Sequence, residues 1–541
     1  MKKTILLLFL AFFSYNFLTA QQTISETEKL ASLGKIYGYL KYYHPEVAKG
    51  RFDWDKELIK RIPEVLKATN KKALSLIYIK WVDSLGKIEN CRKCDYKENS
   101  FDKNFDLKWT QDTTLFSNEL SSKLKFIEKN RNQGKNFYVS TKSNGGIKIT
   151  NEPDYKNFEY PNEEYRLLGL FKYWNIIEYF YPYKYLTDQH WDSVLREMIP
   201  KIRETSVVNE YQSTLKQLIA KLDDTHAWLS FSNQKPKYLP VKISHIENKA
   251  VVTGFYNDSL SNLNNLKLGD VILKVNGLDV KAELEKNLKF VAGSNSNIKI
   301  KYTYDKIFSG VENTVKLSIE RKGRIEHIKV NRYDFNDFNY WNNPDRIKSK
   351  SINDEIGYIN MASVKSKDVS AIFKGFENKK SIIIDLRNYP DLMYEYFTRF
   401  INSAKRDFVK IYSPNVNYPS RFYFKYNLST NSSNKAFKGK IILLVNEESL
   451  SRSEFTAMAF QTADNVITVG NQTAGADGDV VIFEYMGGYR TAISGNGILY
   501  PDGTETQRKG VKINVEIKPT INGLRQGRDE VLEKAIQIAN E

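Results

Sequence analysis

Residues 440–478 read KIILLVNEESLSRSEFTAMAFQTADNVITVGNQTAGADG, and the reading of this stretch sets the rest of the chain. Ile441 to Val445 is an unbroken run of β-branched residues and leucine, the pattern of a strand buried on both faces of an α/β sheet. From Ser451 the pattern turns helical, with Phe455, Met458 and Ala459 at three- and four-residue spacing. Ser453 and Glu454 fall in the first turn, where acceptors and negative charge suit the free N–H groups. A serine at such a strand-to-helix junction places its hydroxyl at the mouth of the sheet, beside N–H groups able to hold an oxyanion. Spacing alone is better satisfied by an ordinary capping serine.

The rest of the chain supplies the frame. With 541 residues, 41% of them hydrophobic and 13% aromatic, the chain is long and apolar enough for several packed domains, which excludes a disordered protein. The formal net charge of +17 is scattered, without a compact Arg/Lys stripe, so it points to loose attraction to anionic surfaces and to no nucleic-acid partner. Met1 to Ala20 has Lys2-Lys3, an apolar run from Ile5 to Phe13 and small residues before Gln21, the three regions of a signal peptide. No later stretch is long and apolar enough for a membrane span, so the mature chain is expected to be exported, periplasmic or extracellular.

An internal repeat follows. Residues 37–45 (YGYLKYYHP) align with 174–182 (WNIIEYFYP) at an offset of 137 residues, and the same offset pairs Trp54-Asp55 with Trp191-Asp192, Ile62-Pro63 with Ile199-Pro200, and Leu85 with Leu222. One helical unit has been duplicated. Each copy is expected to hold an aromatic-rich helix that stops at the Pro, a second that starts near Trp-Asp, and a third that runs up to the leucine. After that leucine the copies diverge: Gly86-Lys87-Ile88 in the first, Asp223-Asp224-Thr225-His226-Ala227-Trp228 in the second. Across the repeat His44 pairs with Tyr181 and His190 with Asp53, which marks both as scaffold, while His245 and His327 sit in strand-like stretches. The only cysteines, Cys91 and Cys94, allow a local disulfide, a redox pair or half a metal site.

Ser451-Arg452-Ser453-Glu454 with Val469-Gly-Asn-Gln-Thr-Ala-Gly475 resembles the signature of the tail-specific (C-terminal-processing) and tricorn family of serine peptidases. Asp224-Thr225-His226 is similar to the D-x-H motif of its tricorn-like branch, and Ile384-Asp385-Leu386-Arg387 resembles the family's oxyanion segment. Leu266 to Gly277 (LKLGDVILKVNG) resembles a PDZ segment, with Asp270 capping a tight turn, Val271, Leu273 and Val275 on one face, and Asn276-Gly277 as a hairpin turn.

The resemblance implies an α/β multidomain protein. It divides into a signal peptide (1–20), a first helical unit (21–95), a mixed connecting segment (96–160), a second helical unit carrying the histidine (161–232), a small β-rich PDZ-like domain read as short alternating strands (237–333), and a crotonase-like serine peptidase domain (345–541). It implies a serine endopeptidase in which Ser451 attacks a peptide carbonyl, His226 takes its proton, and Thr225 and Glu505 hold the imidazole. Gln507 stands closer to the family's usual glutamate position. The oxyanion donors implied are the backbone N–H groups of Arg452 and Asp391. A polypeptide substrate would dock as an added strand on the PDZ-like domain, and no metal or organic cofactor is called for.

Two departures bear on activity. Ala476 stands where the tail-specific branch has its lysine, and Tyr389-Pro390-Asp391-Leu392 replaces the usual Gly-Gly. Alternative readings are an inactive peptide- or ligand-binding homologue and a serine esterase, the latter without a G-x-S-x-G elbow.

Overall fold

The computed structural model describes residues 24–92, 94, 99–153, 155–231, 235–338 and 347–541, so the signal-peptide reading of residues 1–20 lies outside them. Among the described residues no helix is long and apolar enough to cross a membrane.

The apolar run at 440–445 is a central strand, as its composition requires. Strands Ile356–Asn360, Ser381–Asp385, Lys440–Val445, Val466–Gly470 and Val515–Glu516 lie side by side in parallel, with the antiparallel Ser349–Ser351 at one edge. Alternate residues serve two cores. Ile382, Ile384, Ile441 and Leu443 pack with Phe397, Met458 and Phe460 from helices Tyr394–Ile401 and Arg452–Phe460. Ile383, Ile442 and Leu444 face Val531, Ala535 and Ile538 of helix Glu530–Asn540 on the other side. With both faces covered the strands need no polar side, which is why they read as continuous apolar runs.

The duplication is reproduced to within one residue. Helices Glu26–Tyr43, Trp54–Leu66 and Lys71–Ser84 recur as Glu163–Phe180, Trp191–Arg203 and Val208–Ala220. Trp54 Nε1 donates to Tyr37 O at 3.1 Å, and its counterpart Trp191 Nε1 donates to Trp174 O at 3.0 Å. The copies pack on each other through reciprocal contacts: Lys35 pairs with Asp192 of the second unit, and the equivalent Lys172 pairs with Asp55 of the first at 3.0 Å. Small faces large at the seam. A Cβ on Gly34 would stand 2.7 Å from the Phe171 ring, and one on Gly38 only 1.8 Å from Asn175 Oδ1.

The units do not stand apart from the peptidase domain. Their core continues into Tyr412, Phe422, Phe483 and Tyr485, and the connecting segment lends Ser100–Phe101 to the sheet of Phe422–Ser429, Asp407–Pro414 and Gly497–Leu499. Strand Trp228–Ser230, just after the histidine, pairs with Tyr489–Ser494.

Residues 237–333 depart from the expected run of strands. The antiparallel sheet of Val241–Ile246, Lys249–Phe255, Val271–Val275, Thr314–Arg321 and Arg324–Asn331 is joined by helices Asp258–Leu263, Val280–Asn287 and Ser296–Phe308. A bulge between Ile272 and Lys274 breaks the expected alternation, so Ile272 and Val275 enter the main core whereas Val271 and Leu273 face Ile521 and Leu524. Asp270 does accept from Lys267 N at 2.8 Å, and Asn276 and Gly277 both take positive φ, as a hairpin turn of this type requires. Cys91 and Cys94 form a disulfide.

Candidate active site

Ser451 precedes helix Arg452–Phe460 with φ +54° and ψ −111°, a backbone state that costs a residue with a Cβ about 1–3 kcal/mol. Neighbouring groups hold it there. Its N–H donates to Ala476 O at 3.0 Å and to Glu454 Oε2 at 3.2 Å. Glu454 is fully buried and gathers the facing loop as well: Oε1 accepts from the Thr473 hydroxyl and from Gly475 N at 2.8 Å, and Oε2 from Ala476 N at 3.0 Å. Burial pushes this carboxyl up, and the four donors pull it back toward the charged form. Gly475 has φ +68°, and a Cβ there would meet the Arg508 backbone at 2.9 Å, so the loop can close only on glycine.

The end of strand Ser381–Asp385 is bolted to the same turn. Leu386 O accepts from Ser449 Oγ at 2.7 Å and from Ser453 Oγ at 2.6 Å. This sets the Tyr389-Pro390-Asp391 segment beside Arg452, whose guanidinium lies 5.2 Å from the Tyr389 ring centre. Arg452 is the first helical residue, where the N–H has no acceptor within the helix. The Asp391 carboxylate is half exposed and pairs with Lys365 at 2.7 Å.

His226 is buried. Its Nδ1 lies 3.0 Å from Ser494 Oγ, and its N–H donates to Asp224 Oδ1 at 3.0 Å. Asp224, fully buried, also accepts from Ser494 N at 3.0 Å and from Gln507 Nε2 at 3.3 Å, so one carboxylate sets both the histidine and the hydroxyl beside it. Burial lowers the His226 pKa, while the charges of Asp224 and Asp479 oppose that fall. Asp477, buried in the same loop, is pushed well up by burial and then by Glu454.

The structure brings some of the expected residues together and separates others. Thr225 lies next to the histidine in sequence, but its hydroxyl bonds to Ser294 Oγ at 3.0 Å and to Ala474 O at 3.4 Å, tying the motif to the loop and not to the imidazole. Glu505 faces away, with its carboxylate on Tyr185 at 2.6 Å and Lys103 at 3.0 Å. Gln507 instead reaches the histidine network, on Asp224 and on Ser294 Oγ at 3.3 Å. Sequence reasoning missed Ser494, a strand residue in YRTAIS with no local signal, and Asp224, whose place in the D-x-H motif was a signal. It also missed Ser294 and Asn295, which reach in from the PDZ-like region; Asn295 Nδ2 donates to Thr473 O at 2.8 Å. Lys242 of the strand Val241–Ile246 pairs with Glu448, three residues before Ser451, at 2.7 Å.

Comparison with known proteins agrees with this geometry. Residues 355–517 match the model of peptidase family S41, and residues 235–347 match a PDZ domain model. A probable CtpA-like serine protease of Staphylococcus haemolyticus (strain JCSC1435) is 22% identical over 350 residues, 62% of this chain. The chain spans 64% of that relative's length. Among solved structures, mature CPAF complexed with lactacystin shares the fold at TM-score 0.57 and 14% identity over 69% of this chain and 97% of that one. Mature CPAF alone gives TM-score 0.55 and 14% identity over 69% and 96%. Residues 355–517, which include Ser451, are thus similar to the serine peptidases of family S41, and the residues before them, 235–347, are similar to a PDZ domain.

Proposed function

We propose that the chain is an exported serine endopeptidase in which Ser451 is the nucleophile and His226 its base. The observation that carries the reading is the strained Ser451 backbone, held by the Glu454 carboxylate and the 473–476 loop at the N-terminus of a helix. Strain of this kind survives only where surrounding contacts over-determine it, and it clusters at sites of chemistry. His226, kept neutral by burial, takes the Ser451 proton as the oxygen attacks a peptide carbonyl. Ser494 at Nδ1 holds the ring, and Asp224 supplies negative charge as the imidazolium forms. The N–H groups of Arg452 and Asp391 receive the oxyanion. The proton then passes from His226 to the leaving amine, and water hydrolyses the acyl-enzyme.

Substrate enters as an extended segment. Val241–Ile246 is the edge strand of its sheet and lies beside helix Ser296–Phe308, with a cavity of about 260 Å³ lined by Leu239, Val241, Ile243, Tyr304 and Phe308. That is the arrangement that takes a peptide as an added strand. Export is supported by the residue pattern of 1–20 and by the Cys91–Cys94 disulfide, which suits an oxidising compartment.

The test is hydrolysis of casein and peptides by the wild type, Ser451→Ala and His226→Ala, with mass spectrometry of the cuts. Loss of activity in both variants supports the reading. Full activity in His226→Ala moves the base elsewhere, and a folded but inert wild type makes the chain a binding homologue.

A further inference from the structure

The duplication has placed a second cleft in the first helical unit, at the position that carries the catalytic histidine in the second. A hollow of about 890 Å³ is lined by residues 45–52, 84–91 and 130–133. Moved by the repeat offset of 137, its first two walls become residues 182–189 and 221–228, the walls around the His226 motif.

In the second unit that space is filled by the chain's own polypeptide. The segment 505–510 crosses it, with Arg508 paired to Asp188 at 2.7 Å and Gln507 donating to Asp224 at 3.3 Å. Two acidic side chains thus receive a strap that brings a cation and an amide. In the first unit the same two scaffold positions are basic, Arg51 for Asp188 and Lys87 for Asp224. Lys49 and Arg131 add positive charge to the lining, Glu46 (paired with Lys49 at 2.8 Å and with Arg51) and Glu89 are its acids, and the Arg51 side chain remains 63% exposed. Unit one keeps the receptacle and inverts the charge of the residues that would hold a strap. A second hollow of about 600 Å³, sharing Cys91, Asn130 and Arg131, extends the cleft past the disulfide to Tyr418 of the peptidase domain.

We propose that this cleft is a non-catalytic polypeptide-binding site that takes an acidic stretch of an extended chain. The proposal goes beyond the peptidase reading. It takes from that reading only the expectation that the bound chain belongs to a substrate.

Its test is a binding measurement on the Ser451→Ala protein, so that hydrolysis plays no part and failure of the catalytic assignment leaves the result readable. A fluorescein-labelled Glu/Gly-rich peptide is titrated by anisotropy at low salt, with its Gln/Gly counterpart as the neutral probe. Saturable binding of the acidic peptide alone is expected, weakened about tenfold or more by Arg51→Glu with Lys87→Glu. A charge-matched control, Lys374→Glu with Lys435→Glu on the exposed surface of the peptidase domain, is expected to bind like the parent. Thermal unfolding of both double variants at the parent's temperature excludes misfolding as the cause. Absence of binding by the parent, equal loss in the control, or an unchanged Arg51→Glu/Lys87→Glu protein would each overturn the proposal.

Discussion

Replacing Glu454 by Gln keeps the shape of the side chain and removes the charge that gathers the Ser451 turn. The carboxylate faces four donors, two on each oxygen. The least costly amide orientation puts NH₂ at the Oε1 position, where the Thr473 hydroxyl can rotate to accept from it. The Gly475 N–H has no such freedom and is stranded, at about 1–3 kcal/mol. The Ser451 and Ala476 N–H groups keep an oxygen but lose the charge, about 1 kcal/mol each by the difference between charged and neutral hydrogen bonds. The sum is about 3–5 kcal/mol. It falls on the loop that sets the Ser451 backbone, so reactivity should fall with stability. The assay is urea unfolding followed by tryptophan fluorescence, beside the rate at which a fluorophosphonate labels Ser451. A variant that unfolds within about 1 kcal/mol of wild type and labels at the wild-type rate would refute the reasoning.

Three further outcomes are expected. Burial places the His226 pKa below 6.5, so kcat/KM should hold as pH drops past that value and fall only at lower pH, where the ring gains a proton and can no longer accept one from Ser451. Asp224→Asn removes the largest opposing charge, so the acid limb should move to still lower pH while the plateau drops; a limb that stays in place would show that Asp224 does not act on the ring. Gly38→Ala drives a Cβ to 1.8 Å from Asn175 Oδ1 at the seam of the two units and should cost about 3 kcal/mol, read as a lowered thermal midpoint; an unchanged midpoint would mean that the seam can open without loss.

What was legible in the chain was what local pattern encodes. The strand of 440–445 announced itself because both its faces are buried, and the repeat because each copy kept the same Trp-Asp and Ile-Pro landmarks. Ser451 and His226 were singled out through motifs. Ser494, the partner of His226, was not, because it arrives from a strand 268 residues away, and strand patterning says nothing about which hydroxyl faces a ring. Glu505 shows the limit of spacing arguments. Two residues from Gln507 in an extended segment, it was expected on the same side, yet Tyr185 and Lys103 offer its carboxylate the better site. In the PDZ-like domain the bulge at Ile272 shifted a face that strict alternation would have kept.

The crossed ion pairs of the two helical units have a consequence for how the molecule can fail. Lys35 with Asp192 and Lys172 with Asp55 make each unit the other's counterion, as subunits do in an isologous dimer joined by a tether. A protease that nicked the tether would separate nothing, because the halves are held by their shared core and not by the peptide bond. Loss of the first unit is another matter: it would strip charge compensation and apolar cover from helix Glu163–Phe180, which packs in the same core as the helix leading to His226. Loss of contacts in the first unit is thereby coupled to the seating of His226 in the second, and a chain lacking that unit would fold without a properly seated histidine.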